Sequence, residues 1–216
     1  MDLKSLLNQA LNSDIVQQGQ AKVKNSSSSS SLKSLGAGAV GGGLVSLLMG
    51  SKKSKKIGKK LGKNALKVGG VAVLGALAYK VYNDYQSKQV STGTTENFDA
   101  QDDYHSELIL KAMIAAAKAD GHVDQQEMAH IESTLEQSGA DNTLQQLVHV
   151  ELNKPLDPAE VARLAHSPQQ ASEVYLASLI VIDEQNFMEK AYLQELAKQL
   201  RLDSEVTYQL EQQLQN

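Results

Sequence analysis

The chain contains no cysteine and no tryptophan, and only 4% of its residues are aromatic. Without cysteine there is no disulfide scaffold, no thiolate zinc site and no cysteine nucleophile, although such a chain suits a reducing or an oxidising compartment equally. Only three prolines interrupt 216 residues, and no segment alternates apolar with polar in the period of two that a half-buried strand needs. Among the five histidines, His105, His122, His130, His149 and His166, there is no His-x-x-x-His or His-Glu-x-x-His pair, and Ser178 lacks the flanking glycines of a nucleophile elbow. Carboxylate pairs such as Glu132 and Glu136 read as a solvated helix face. These absences point away from an enzyme.

What is present falls into two unlike halves. Residues 1–100 hold 14 lysines against 5 acids, a balance of +9. Residues 101–216 hold 7 basic residues against 20 acids, a balance of −13. The 41% hydrophobic content supplies one sizeable core, and the length suits one or two domains of roughly 100–200 residues.

The basic half reads as an anchor. In residues 1–33, Leu3, Leu6, Leu7, Ala10, Leu11 and Ile15 recur at spacings of three and four, predicting a short amphipathic helix, and Asn25 to Ser31 predict a flexible linker. Asp2 with a lone Lys4 makes a poor start for a signal peptide, so an uncleaved segment is expected to deliver the chain. Residues 34–85 hold most of the glycine. Ser34 to Ser51 is uncharged over 18 residues but includes six glycines. Leu66 to Tyr82 has an uncharged centre of 12 residues, Val68 to Tyr79, with Lys67 and Lys80 placed to snorkel and Tyr79, Tyr82 and Tyr85 placed as an interfacial belt. The second stretch is the favoured membrane span. Gly38 with Gly42, and Ala72 with Ala76, would let such helices pack closely in lipid, which also allows a structural homo-oligomer. A collapsed glycine-rich linker that never enters a bilayer is the alternative.

Between the two stretches lie Lys52, Lys53, Lys55, Lys56, Lys59, Lys60, Lys63 and Lys67. No aromatic or arginine side chains interleave with them, which argues against nucleic acid as the partner. Gly58, Gly62 and Lys63 imitate the end of a phosphate-binding loop, but the glycines are too close and Asn64 stands where a Ser or Thr would hold magnesium. Contact with anionic membrane lipid is the simpler reading, each lysine contributing about 1 kcal/mol. Positive residues stay on the cytoplasmic side. With Leu66 to Tyr82 as the sole span, or both stretches as a hairpin, the acidic half is periplasmic; with Ser34 to Ser51 alone it is cytoplasmic. The sequence leaves this open.

After a polar tether at 86–103, residues 104–216 predict an all-α domain of about seven helices. Leu108 to Ala117 and Val174 to Ile182 are apolar on every face, the mark of two central helices. Others are found by their starts and stops: Asp124 with Glu127 as a capping box, Gly139 as a stop, Asp157-Pro158-x-Glu160, and Ser167-Pro168-x-Gln170. Segments Asp141–Leu152, Phe187–Leu200 and Asp203–Leu214 complete the set.

Two stretches share a pattern: apolar helix, Asp120, then Glu127, and apolar helix, Asp183, then Glu189. Ala115-Ala116-Ala117-Lys118-Ala119-Asp120-Gly121-His122-Val123-Asp124-Gln125-Gln126-Glu127, with the later Leu179-Ile180-Val181-Ile182-Asp183, resembles the TerB-like helical domain named for tellurite resistance. Together with the glycine-rich half and Glu151-Leu152-Asn153-Lys154-Pro155-Leu156-Asp157, the chain is similar to the YebE-like bacterial inner-membrane proteins of unknown function. The resemblance implies a helical bundle whose acidic corners bind a divalent cation, with a loose link to membrane-associated stress.

On residues alone, Asp120 to Glu127 imitates the second half of an EF-hand loop, but Ala116 and Lys118 occupy positions that need oxygen ligands, which excludes a true EF-hand. A different Ca2+ or Mg2+ site from Asp120, Asp124, Glu127, Asp183 and Glu189 stays open, since acids at helix C-terminal ends want positive compensation. So does the plainer reading, in which the same acids cap the helices that follow. The expectation is a membrane-anchored, non-enzymatic binding protein of the bacterial inner membrane. Its domain recruits a protein partner or senses a divalent cation in envelope or metal stress.

Overall fold

The computed structural model describes residues 2–5, 70–89, 96–99, 102–121, 123, 125–137, 139–182 and 186–215. The serine linker, the stretch from Ser34 to Ser51 and all eight lysines from Lys52 to Lys67 lie outside the described residues, as does most of the expected N-terminal helix. All regular secondary structure among the described residues is helical, with no strand among them. In chain order they form α1 (Gly70–Gln89), α2 (Asp103–Ala117), a 3-10 turn (Lys118–Asp120), α3 (Gln125–Gln137), α4 (Asn142–Asn153), α5 (Pro158–Ala162), α6 (Pro168–Val181), α7 (Phe187–Gln199) and α8 (Ser204–Gln215). The seven helices expected of the acidic half are α2 to α8.

Local chemistry sets the helix ends. Asp141 accepts from the Leu144 amide, Asp157 from Ala159 and Ser167 from Gln170, each satisfying a first-turn donor, and Pro158 and Pro168 follow their caps where no N–H is needed. Gly139 ends α3 at φ +69°, a left-handed conformation in which glycine alone meets no steric penalty. α2 and α6 cross at the centre. Every residue from Ala171 to Val181 is buried, as are Leu108, Ile109, Leu110, Ala112, Met113 and Ile114, so both helices are apolar all round because other helices surround them.

One buried cation is structural. Lys118 lies between α2 and α4, where its ammonium donates to the carbonyls of Glu151 (3.0 Å) and Lys154, left over at the C-terminal end of α4. Burial lowers its pKa, and the charge of Glu151 opposes that. Lys118→Met is expected to lower the unfolding free energy by about 1–3 kcal/mol by stranding those carbonyls. Urea titration reads this, and an unchanged midpoint would mean that water or another donor takes over.

The favoured span calls for a correction. The described part of Leu66 to Tyr82 belongs to α1, which packs on α6 and α8 and buries Leu74, Ala78, Tyr79 and Val81. Its opposite face is exposed and largely charged: Ala76, Lys80, Asp84 and Lys88 are exposed, and Lys80 pairs with Asp84 at 2.6 Å. No helix among the described residues is long and apolar enough to cross a membrane. The three tyrosines expected as a lipid belt have protein partners: Tyr79 packs on Phe98 and His105, Tyr82 lies 6.1 Å from Tyr85, and the Tyr85 hydroxyl meets Asp203. Of the described parts of the expected tether, residues 86–89 continue α1 with Ser87, Lys88 and Gln89 exposed, and the Phe98 ring stands 4.5 Å from His105.

Candidate functional site

The sites at which this fold can do chemistry are set by its few buried or convergent polar groups. The most enclosed is a pair on the two central helices. His105, in the first turn of α2, meets Glu173 of α6 through Nδ1 and Oε2 at 2.7 Å, with side-chain exposures of 5% and 0%. Tyr79 of α1 and Phe98 cover the imidazole at ring distances of 5.6 and 4.5 Å. Nearby, Asn83 of α1 accepts from the buried Gln169 at 3.0 Å and donates to the Glu96 carbonyl at 2.9 Å. Gly75 makes room for this lid, since any β-carbon there would overlap the Phe98 ring.

Burial pushes Glu173 above the ordinary carboxylate range, and the His105 bond and charge only partly offset this. For His105, burial disfavours the charged ring, but the Glu173 hydrogen bond and charge outweigh it and hold the pKa above the usual histidine value. The Glu173 Oε1 has no hydrogen-bond partner among the described residues. The pair therefore holds a proton tightly in a dry space that α1 closes, an arrangement suited to fastening α1 rather than to meeting a substrate. Sequence reading passed over both residues. The available signal was Glu173 itself, one acid beside an all-round apolar run, which on a central helix must be buried and must find a partner.

The acidic corners come together in part. The 3-10 turn carrying Asp120 packs on α7, which carries Glu189. Asp120 is exposed, Glu189 is 1% exposed, and each is engaged within the chain. The side chains of Asp124, Glu127 and Asp183 lie outside the described residues. Among the described residues no three His, Asp or Glu side chains gather as metal ligands would. Asn186 accepts from the amides of Met188 and Glu189, and Glu189 stands three residues after it, the spacing of a capping box.

The stretch Glu151 to Asp157 joins α4 to α5 and lines a pocket of about 290 Å³. Two ion pairs close its edge, Lys111 with Glu107 at 2.5 Å and Lys154 with Glu151 at 2.6 Å, and Asp157, Glu160 and Arg163 complete its charged lining. A wider groove of about 550 Å³ opens between α1, α5 and the end of α7.

A family model described as protein of unknown function (DUF533) matches residues 34–214. The chain is also 32% identical over 112 residues to a Yersinia enterocolitica protein described as an uncharacterized protein in the ampR 5′ region, an overlap of 52% of this chain and 81% of that one. No solved structure matches the chain.

Proposed function

Because the chain belongs to DUF533, a family of unknown function, we propose its role from its own geometry: a non-enzymatic binding protein that holds a helical recruitment module against the bacterial inner membrane. The observation that carries this reading is the docking of α1 on the bundle. Lys67, the last of the lysine run, lies three residues before Gly70, so at most about 10 Å of chain separates the run from the bundle. Whatever surface the lysines touch, the bundle is held beside it and on the same side. With anionic lipid as that surface and positive residues kept inside, the module faces the cytoplasm, anchored by the stretch from Ser34 to Ser51. In this reading the corner acids cap helices, and partner recruitment takes precedence over cation sensing. The YebE-like and TerB-like kinship belongs to the same proposal and rests on the motif residues from Ala115 to Glu127.

The absence of cysteine makes a clean test. Thr143 is exposed on α4, so Thr143→Cys gives a single thiol on the bundle. In spheroplasts the thiol should resist a membrane-impermeant maleimide and react only after lysis. Replacing the eight lysines by glutamine should weaken flotation of the full chain with anionic vesicles. Labelling in intact spheroplasts, or flotation indifferent to the lysines, would overturn the reading.

A further inference from the structure

The groove between α1, α5 and α7 has a composition unlike the rest of the acidic half. The whole chain has two arginines, Arg163 and Arg201, and both line it. They share it with Tyr82, His166, Ser167 and Gln199, and the remaining lining is alanine, proline and leucine. No acidic side chain lines it, although residues 101–216 carry 20 acids. Neither guanidinium forms an ion pair with a described residue. Arg163 also lines the smaller pocket beside Asp157 and Glu160, whereas on the groove side it meets no acid. Two arginines lining one concave space in a strongly acidic domain are a local reversal of charge, and arginine is the cation whose planar fork matches phosphate and carboxylate oxygens.

The backbone at Arg201 adds a second observation. α7 ends in a Schellman motif: the Leu202 amide donates to the Ala197 carbonyl at 3.1 Å, and the Arg201 amide to the Lys198 carbonyl at 3.1 Å. The residue between must be left-handed, a place where glycine is favoured, yet arginine stands there at φ +55° and is the only described non-glycine residue with positive φ. The fold tolerates a strained arginine where glycine would relax it, and the side chain so placed lines the groove. Near Arg163 in the chain, His166 also lines the groove; the Tyr104 hydroxyl donates to the Leu164 carbonyl at 2.6 Å and so receives Nε2–H of His166 at 3.2 Å, with the two rings stacked. The imidazole is fixed at the rim. It neighbours Ser167, the cap of α6.

We infer that the groove is an anion site that takes a phosphate-bearing small molecule or lipid headgroup, with Arg163 and Arg201 clasping the phosphate oxygens and His166 and Tyr82 at the edges. At about 550 Å³ it holds more than a bare phosphate, which fits a phosphomonoester with an organic body.

Two arginines give two Nε–H signals in a nitrogen-edited spectrum, each identified by removing one residue. The experiment uses the full chain with the eight lysines from Lys52 to Lys67 changed to glutamine, so that the run contributes no anion binding. Inorganic phosphate, then glycerol 3-phosphate, then vesicles containing phosphatidic acid are added separately. Both Nε–H signals should move with one common affinity. Arg163→Gln and Arg201→Gly should each weaken binding by about ten- to hundredfold, the loss of a charge-assisted pair of hydrogen bonds. Arg201→Gly carries the sharper test, because glycine relaxes the left-handed position: the melting temperature should hold or rise while binding is lost. A response to soluble phosphate esters identifies a small-molecule site, and a response to vesicles alone identifies a lipid headgroup. Signals unmoved by all three probes, or moving with unrelated affinities, overturn the inference, as does full binding by Arg201→Gly.

Discussion

His105→Ala is expected to destabilise the folded chain by about 3–5 kcal/mol at pH 8, because it leaves the Glu173 carboxylate buried without its partner. Glu173 is on a central helix, fully enclosed, with one oxygen already lacking a partner among the described residues, so no nearby donor can replace the imidazole. The cost should shrink as the pH falls, because burial holds the carboxyl above its ordinary range and a proton removes its charge. Adding Glu173→Leu to His105→Ala should recover much of the loss, since an apolar pair of similar volume carries no desolvation penalty. Urea denaturation of the four members of this cycle measures it. Single variants within about 0.5 kcal/mol of the parent would show that the pair contributes nothing to the fold.

The same pair gives the parent chain a pH slope with a definite sign. Both groups bind protons more tightly when folded, Glu173 above its ordinary 4.5 and His105 above its ordinary 6.5. The folded state then carries more protons than the unfolded one through that window, so stability is fullest below about pH 4.5 as far as this pair is concerned. It declines as the pH rises through the two raised values. Each unit of displacement is worth about 1.4 kcal/mol. Glu173→Gln should flatten the slope between pH 5 and 8, and an undiminished slope would assign it to other groups. Since Tyr79 and Phe98 close over this pair, loss of stability here should first appear as loosening of α1.

How much of this was legible in the sequence depends on whether the signal was local. The seven helices of the acidic half could be read because their caps are spelled within four residues, as at Asp141, Asp157 and Ser167, and because the central helices declare themselves by having no polar face. The fate of Leu66 to Tyr82 could not be read by counting uncharged residues. What distinguishes α1 is which face its charged residues share, and Lys80, Asp84 and Lys88 recur with the small Ala76 on one exposed stripe that the tally of apolar length ignores. His105 and Glu173 lie far apart in the chain, as do Arg163 and Arg201. The fold and not the local sequence brings the first pair into contact and the second into one groove, so neither leaves a spacing to recognise. The corner acids were legible as acids, but whether they cap or ligate is a matter of side-chain geometry that no spacing determines.

The docking of α1 is the claim on which the reading of the basic half turns, and Ala78 tests it with the second large effect. Ala78 has no exposed surface and lies on the face that α1 turns to the bundle. Ala78→Asp would place an unpaired carboxylate there, at a cost of about 3–5 kcal/mol. Fully burying Leu74, Tyr79 and Val81 supplies about 1.5–3 kcal/mol each at best. The charge thus offsets a large part of the gain from docking, and α1 is expected to open from the bundle far more often while α2 to α8 stay folded. Hydrogen exchange should show the amides of 74–86 losing protection, and a protease should cut the chain before Asp102. An aspartate would also be costly in lipid, so Ala78→Leu is the variant that separates the two environments. In a bilayer an added isobutyl group is welcome, whereas in a packed crossing it overfills the space and costs about 1–3 kcal/mol. A lower melting temperature for Ala78→Leu in the detergent-free chain, with no gain in membrane retention, is the outcome that docking requires. Unchanged stability with tighter membrane association would return α1 to the bilayer and move the bundle to the other side.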